Sequence, residues 1–65
     1  MPEALEPLMD GAALARLLRI PEATPAQWRY LGRGPKFVKV GRHVRYRTND
    51  VEAWLLANCH GGDAA

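Results

Sequence analysis

Cysteine is nearly absent: Cys59 stands alone in 65 residues. That excludes an intrachain disulfide and any zinc finger built on paired cysteines, and it points to a reducing, cytosolic setting. No apolar run approaches the ~20 residues that a membrane-spanning helix needs, and the N-terminus lacks the cationic start and hydrophobic stretch of a signal peptide. A cytoplasmic protein is the expectation. Catalytic groupings are missing as well. Cys59 beside His60 is a nucleophile next to a base, but adjacent positions rarely give the geometry and no third residue is placed to orient them, so no enzyme is expected. His43 has no nearby metal-ligating companions, so neither a metal nor a cofactor is expected. Internal repeats and low-complexity segments are also lacking.

The most informative absence is that of acid. Residues 29–47 contain no Asp or Glu, yet they hold Arg29, Arg33, Lys36, Lys39, Arg42, Arg45 and Arg47, seven of the nine cations. Glu3, Glu6, Asp10, Glu22, Asp50, Glu52 and Asp63 all lie outside this stretch, so a net charge of only +2 conceals one concentrated positive surface. Such a one-sided strip is the footprint of a polyanion-binding protein, and double-stranded DNA is the expected polyanion. RNA is disfavoured, because no aromatic platform for unstacked bases and no single-strand motif is evident.

One small domain accounts for the length. Its folded part is expected over 8–58, with flexible tails at 1–7 and 59–65. A core of this size typically yields ~3–5 kcal/mol without metals or disulfides and leaves no room for a deep catalytic cleft. The first helical pattern is DGAALARLLRI, with Leu14, Leu17 and Leu18 on one face, Asp10 as cap and Arg16 outward. The second, RIPEATPAQWRYLGRG, puts Thr24, Trp28 and Leu31 on one face and Ala23, Gln27 and Tyr30 on another. Its end is expected at Gly32 or Gly34. Its start has two readings: Thr24 as cap, with Pro25 first and Gln27 completing a capping box, or an earlier start at Glu22 that places Pro25 deeper. A first turn between Pro21 and Thr24 covers both.

The basic segment KFVKVGRHVRYR reads as a β-hairpin. A two-residue loop at Gly41-Arg42 would set Val40 opposite His43 and mix valines with cations on one face. A three-residue loop, Gly41 to His43, pairs Val40 with Val44 and Val38 with Tyr46. It gives one apolar face and leaves Lys39 and Arg45 together on the other, so it is the expected arrangement. The apolar side must then pack on helices, since an isolated ribbon is unstable. In the last helix, Asn49 is the expected cap with Glu52 three positions on, Asp50 suits the helix dipole, and Val51, Trp54, Leu55 and Asn58 share a face. Trp28 and Trp54 are both assigned to the core, and Cys59 to no role.

Two helices, a basic hairpin and a third helix, in that order, describe a mainly α fold with a small β-hairpin, a winged helix-turn-helix: helix, recognition helix, two-stranded wing, C-terminal helix. The chain resembles the excisionase and AlpA-like branch of the MerR-like winged-helix proteins of phages, prophages and integrative elements. The likeness covers 8–56 and rests on LMDGAALARLLRIP, on the tryptophan followed by RYLGRGP, on FVKVGRHVRYR and on NDVEAWL. It implies that the second helix enters the major groove and that the wing reaches the adjacent minor groove or its phosphates. By position, Ala23, Thr24, Gln27 and Tyr30 become the base-facing candidates, with Arg33 at the end of that helix. Lys39 and the loop-tip Arg42 become the wing candidates, with Lys36, His43, Arg45 and Arg47 as its further contacts. Lys39 and Arg45 suit phosphates better than bases, because a flat strand face follows the backbone. The chain departs from many relatives at Pro21, where they carry a small hydroxyl residue, and at Pro25. Gln27 stands where several relatives have an arginine nearby, and glutamine reads adenine where arginine prefers guanine.

The resemblance further implies a recombination directionality factor, which binds adjacent sites, bends attachment DNA and directs a tyrosine or serine integrase of the same element toward excision. One recognition helix and one wing cover few base pairs, so cooperative self-association on DNA is expected. The alternative within the same binding class is a small AlpA-like transcriptional regulator of a mobile element. The alternative of another class is a phage-encoded protein-interaction module that uses the basic strip against an acidic surface. Association with the nucleoid follows when DNA is bound.

Overall fold

The computed structural model describes residues 7–61. Six elements follow in order: β1 (Leu8–Met9), α1 (Gly11–Leu18), α2 (Thr24–Leu31), β2 (Val38–Val40), β3 (His43–Arg47) and α3 (Thr48–Ala57). This is a winged helix-turn-helix, three helices with a small antiparallel sheet. Of the tails expected at 1–7 and 59–65, residues 1–6 and 62–65 lie outside the described residues.

Asp10 starts α1 as expected: it is extended, and its Oδ1 accepts the Ala13 amide at 2.8 Å. The helix closes through Arg19 in the left-handed region, with the Arg19 amide bonded to the Arg16 carbonyl at 3.3 Å and that of Ile20 to Ala15 at 3.0 Å. These are the paired bonds of a Schellman motif, which satisfy carbonyls that the helix end would otherwise orphan. The turn that follows leads into α2. There the Thr24 amide reaches the Pro21 carbonyl at 3.0 Å and the Gln27 amide reaches that of Ala23 at 3.1 Å, so the first turn lies within the window 21–24. Ala23 is the cap position, without a side-chain bond, which sets aside the Thr24–Gln27 capping box. Pro25 falls in the first turn, where its missing amide costs nothing. It is buried, and Gly11 of α1 comes close enough that an added Cβ would lie 3.8 Å from the Pro25 Cβ. The second helix ends at Gly32, the earlier of the two stops read from the sequence.

The sheet differs from the expected two-stranded wing in two ways. First, Leu8–Met9 adds a third strand, so the order is β1-β3-β2, with Leu8 opposite Arg47 and Met9 opposite Tyr46. Two residues carry no readable alternation, so this strand has no sequence signal of its own. Second, the hairpin uses the two-residue loop: Val38 pairs with Arg45, Lys39 with Val44, and Val40 with His43. The three-residue register, with Val40 against Val44 and Val38 against Tyr46, is therefore corrected. Gly41 holds φ +64 and Arg42 has no positive φ, the signs of a II′ turn, whose twist matches that of the strands. The corrected register puts Lys39 on the face of Val44 and Tyr46. Arg45 lies on the opposite face with Val38, Val40 and His43, so Lys39 and Arg45 do not share a side and neither face is purely apolar. The pattern is tolerated because, of the two hairpin strands, β3 is the one that packs on α1 and α3, while β2 has β3 as its main partner and leaves Val40 51% exposed.

The chain passes from β3 into α3 without a loop. Arg47, extended at φ −85, is the cap position with no side-chain cap bond, so the expected Asn49–Glu52 capping box does not form and Asn49 lies inside the first turn. The Thr48 hydroxyl is engaged elsewhere, donating to the Pro7 carbonyl at 3.0 Å. At the other end the Asn58 side chain donates to the Trp54 carbonyl at 2.8 Å.

Leu14, Tyr46 and Val51 form the buried centre at 0%, 1% and 2% exposure, with Met9, Leu18 and Val44 packed around them. Each such side chain contributes about 1.5–3 kcal/mol on burial. Leu17, which by spacing shares a helix face with Leu14 and Leu18, is 59% exposed, and Ala15 takes the buried place beside Leu14. The reason is the thin layer: α1 and α3 both pack on β3, and between them an apolar groove of ≈ 250 Å³ stays open, lined by Met9, Leu17, Val51, Leu55, Leu56 and others. Trp28 and Trp54, expected in the core, are half-buried beside it, their rings tilted by 48° with centroids 5.0 Å apart.

Gly34 supports that pair by close approach. A Cβ there would stand 2.8 Å from Trp28 Cε3, and its φ is +88. Gly41 has the same backbone requirement but open space around it. In thermal or urea unfolding, Gly34→Ala is expected to cost about 2–4 kcal/mol, strain plus displacement of the indole, and Gly41→Ala about 1–2 kcal/mol from strain alone. Equal losses would show that the Trp28 contact contributes nothing.

Candidate nucleic-acid interface

Helix α2 presents two sides. Pro25, Trp28 and Arg29, spaced i, i+3 and i+4, are buried or half-buried, and Thr24 is half-buried beside them. Ala23, Gln27 and Tyr30, spaced i, i+4 and i+7, are exposed, Tyr30 at 88%. Tyr30 could have packed its ring inward; it does not. The exposed row thus offers an amide, a phenol and a small residue on one ridge, groups able to meet base edges and phosphates.

Beyond the Gly32 cap, the chain turns through Arg33, Gly34, Pro35 and Lys36 into the wing. Arg29, Arg33, Lys36 and Phe37 line an open depression of ≈ 380 Å³ at this junction, between the end of α2 and the root of β2. Arg33 and Lys36 are exposed there, so the two cations connect the helix to the hairpin. At the tip, Arg42 and His43 are exposed, and Lys39 is exposed on the edge strand. Arg45 is half-buried, and its Nη1 donates to the neighbouring Val44 carbonyl at 2.8 Å. Arg47 is exposed at the start of α3, with its Nε 4.0 Å from Asp50 Oδ2. Of the eleven candidates, Ala23, Gln27 and Tyr30 form the exposed α2 ridge, Arg33 and Lys36 the junction, and Lys39, Arg42 and His43 the outer wing. Arg45 and Arg47 also serve intramolecular contacts, while Thr24 is half-buried on the other side of α2 and does not join the ridge.

Arg29 leaves the strip. It belongs to the acid-free run in sequence, but its Nη1 donates to the Tyr46 hydroxyl at 2.9 Å, and its guanidinium lies 5.9 Å from the Phe37 ring centroid. The missed signal was a tyrosine in a buried strand position, whose hydroxyl needs a partner. Pro25 was missed for a similar reason, since proline in a first turn is read for its backbone and not for its ring.

Against this geometry, the helix-turn-helix domain family matches residues 8–59, which takes in every element described. The chain belongs to that family. A comparison with curated proteins found no match. In a helix-turn-helix the second helix is the one presented to the major groove, which is the role available to α2 and its exposed ridge. The family supports binding of double-stranded DNA, and its domains are typically non-enzymatic binding modules. Among the described residues no helix is long and apolar enough to cross a membrane.

The two sides of α2 separate cleanly in a stability measurement. Trp28→Ala should lower unfolding free energy by about 3 kcal/mol, through loss of the indole pair, whereas Tyr30→Ala should stay within ~0.5 kcal/mol. A large loss at Tyr30 in thermal unfolding would place its ring in the fold and remove it from the interface.

Proposed function

We propose that this helix-turn-helix domain is a recombination directionality factor, an excisionase of a phage or integrative element. It binds adjacent sites on duplex DNA, bends the attachment DNA and directs the element's tyrosine or serine integrase toward excision. What supports the reading is that Gln27 and Tyr30 on α2, Arg33 and Lys36 at the junction with the wing, and Arg42 at the wing tip are all exposed, with Arg33 and Lys36 lining one depression. The resemblance of FVKVGRHVRYR and NDVEAWL to the excisionase and AlpA-like proteins supports the finer assignment.

In this reading α2 enters the major groove, where Gln27 reads an adenine through its N6 and N7 edge, flanked by Ala23 and Thr24, and Tyr30 reaches a phosphate. Arg33 and Lys36 neutralise the backbone between the grooves. The wing crosses to the neighbouring minor groove: Arg42 enters it or grips its rim, and His43 and Lys39 meet phosphates. Arg45 and Arg47 contribute charge beside their internal contacts. One helix and one wing give a small footprint with modest affinity, so several copies bind side by side, and the deformation made by one favours the next.

Two measurements test this. In a gel-shift salt series, four to six phosphate contacts give log affinity against log salt a slope of about −4 to −5. Arg42→Ala should reduce that slope by about one unit, while Gln27→Ala should leave it unchanged and cost about 1–3 kcal/mol of discrimination at one base pair. A flat salt response would end the DNA reading and favour a protein-interaction module.

In a recombination assay with the integrase of the same element, removal of this protein should abolish excision and leave integration intact. Unchanged excision would remove the directionality role and leave the AlpA-like regulator.

A further inference from the structure

We propose that Arg29 is a positioning residue that fixes the distance between the recognition helix and the wing, although its charge and place in the sequence suggest a phosphate contact. The inference rests on the duplex-binding reading above. Arg29 follows Gln27 by two residues, about 200° around the helix, so it points away from the ridge that meets DNA. Its guanidinium donates to the Tyr46 hydroxyl at 2.9 Å and lies over Phe37 at 5.9 Å. Phe37 directly precedes β2, Tyr46 belongs to β3, and their rings stand 6.3 Å apart. One planar cation therefore touches the roots of both wing strands.

Packing elsewhere makes this tie consequential. Helix α2 packs on α1 and, through Trp28, meets Trp54 of α3, and both of those helices pack on β3. It therefore reaches the wing indirectly, through them and along the 32–37 connection, whereas Arg29 links the two by a direct side-chain contact. The 32–37 connection holds positive-φ glycines at Gly32 and Gly34. A hydrogen bond at a charged donor and a cation–π contact, both partly shielded from water, are each stronger than their exposed counterparts. Together they hold Arg42 at a set span from Gln27. Without them the wing samples a range of positions, and only a fraction of molecules meets both grooves at once.

The test uses the full chain with Arg29→Met, Arg29→Lys, Tyr46→Phe and the double variant Arg29→Met/Tyr46→Phe. Each single variant should weaken duplex binding about fivefold to tenfold, with the salt slope unchanged and hydroxyl-radical protection lost at the wing-side minor groove but kept under α2. Lysine should not rescue, because a point charge lacks the fork and the plane. The double variant should be no weaker than Arg29→Met, since both changes break one tie. Tyr46→Phe keeps the buried ring and carries the test if Arg29→Met does not fold.

A slope reduced by about one unit in Arg29→Met would identify a phosphate contact and overturn the proposal, as would additive losses in the double variant. Backbone relaxation and amide exchange of the free protein form a separate arm. Tyr46→Phe should raise mobility at Lys36, Val38 and Val40, and unchanged mobility would overturn the clamp. Failure of the wild-type chain to bind duplex would strike the functional reading alone, because this arm needs no DNA.

Discussion

The fold turns on one tyrosine. Tyr46 is 1% exposed, it pairs with Met9 of β1, and it shares the buried cluster with Leu14 of α1 and Val51 of α3. Its ring edges toward Phe37 at the root of β2, and its hydroxyl receives the Arg29 donor from α2. Each secondary-structure element or its immediate flank therefore meets this side chain or its closest neighbours. In a domain too small for layered redundancy, a large aromatic with a polar tip does two jobs: the ring fills the centre, and the hydroxyl carries a bond out to α2, adding to that helix's contacts with α1 and, through the Trp28–Trp54 pair, with α3.

That constraint explains why the cations divide as they do. Residues drawn toward Tyr46 or toward strand and helix ends are used internally: Arg29 on its hydroxyl, Arg45 on the Val44 carbonyl, Arg47 near Asp50. Those on the α2–wing junction, the edge strand and the tip, namely Arg33, Lys36, Lys39 and Arg42, are exposed. With Arg29 turned inward, the exposed cations of the acid-free run are Arg33 and Lys36 at the junction, Lys39 on the edge strand, Arg42 at the tip and Arg47 at the start of α3. Exposed cations beside a helix-turn-helix are the groups that meet phosphates when such a domain binds DNA.

The element order and fold class were legible because they rest on local chemistry. The Asp10 cap, the Gly32 stop, the alternation in HVRYR and the Val51–Trp54 spacing each need only a few neighbouring residues to be read. The exposed row Ala23, Gln27 and Tyr30 was likewise readable, being the side of α2 opposite its tryptophan. The three-residue hairpin register expected from the sequence requires one apolar face shared by both strands. Of the two wing strands, β3 is the one that packs on the helices, so β2 need not share an apolar face with it, and Gly41 forms the tighter turn. The capping box at Asn49 failed for a related reason, since the strand runs straight into α3 and Arg47 occupies the cap position.

By itself the chain determined that this is a winged helix-turn-helix with one basic segment, because periodicity, caps and the distribution of acids are properties of nearby residues. Tertiary structure alone decided which charges face outward, that Leu8–Met9 joins the sheet, that Leu17 lines an open groove, and that Arg29 binds Tyr46 instead of solvent. Those outcomes depend on contacts between residues far apart in sequence, such as the 17 positions between Arg29 and Tyr46, and no local pattern encodes them. The physical reason is that a buried hydroxyl takes the nearest suitable donor in space, and that donor came from the segment whose charge had suggested another use.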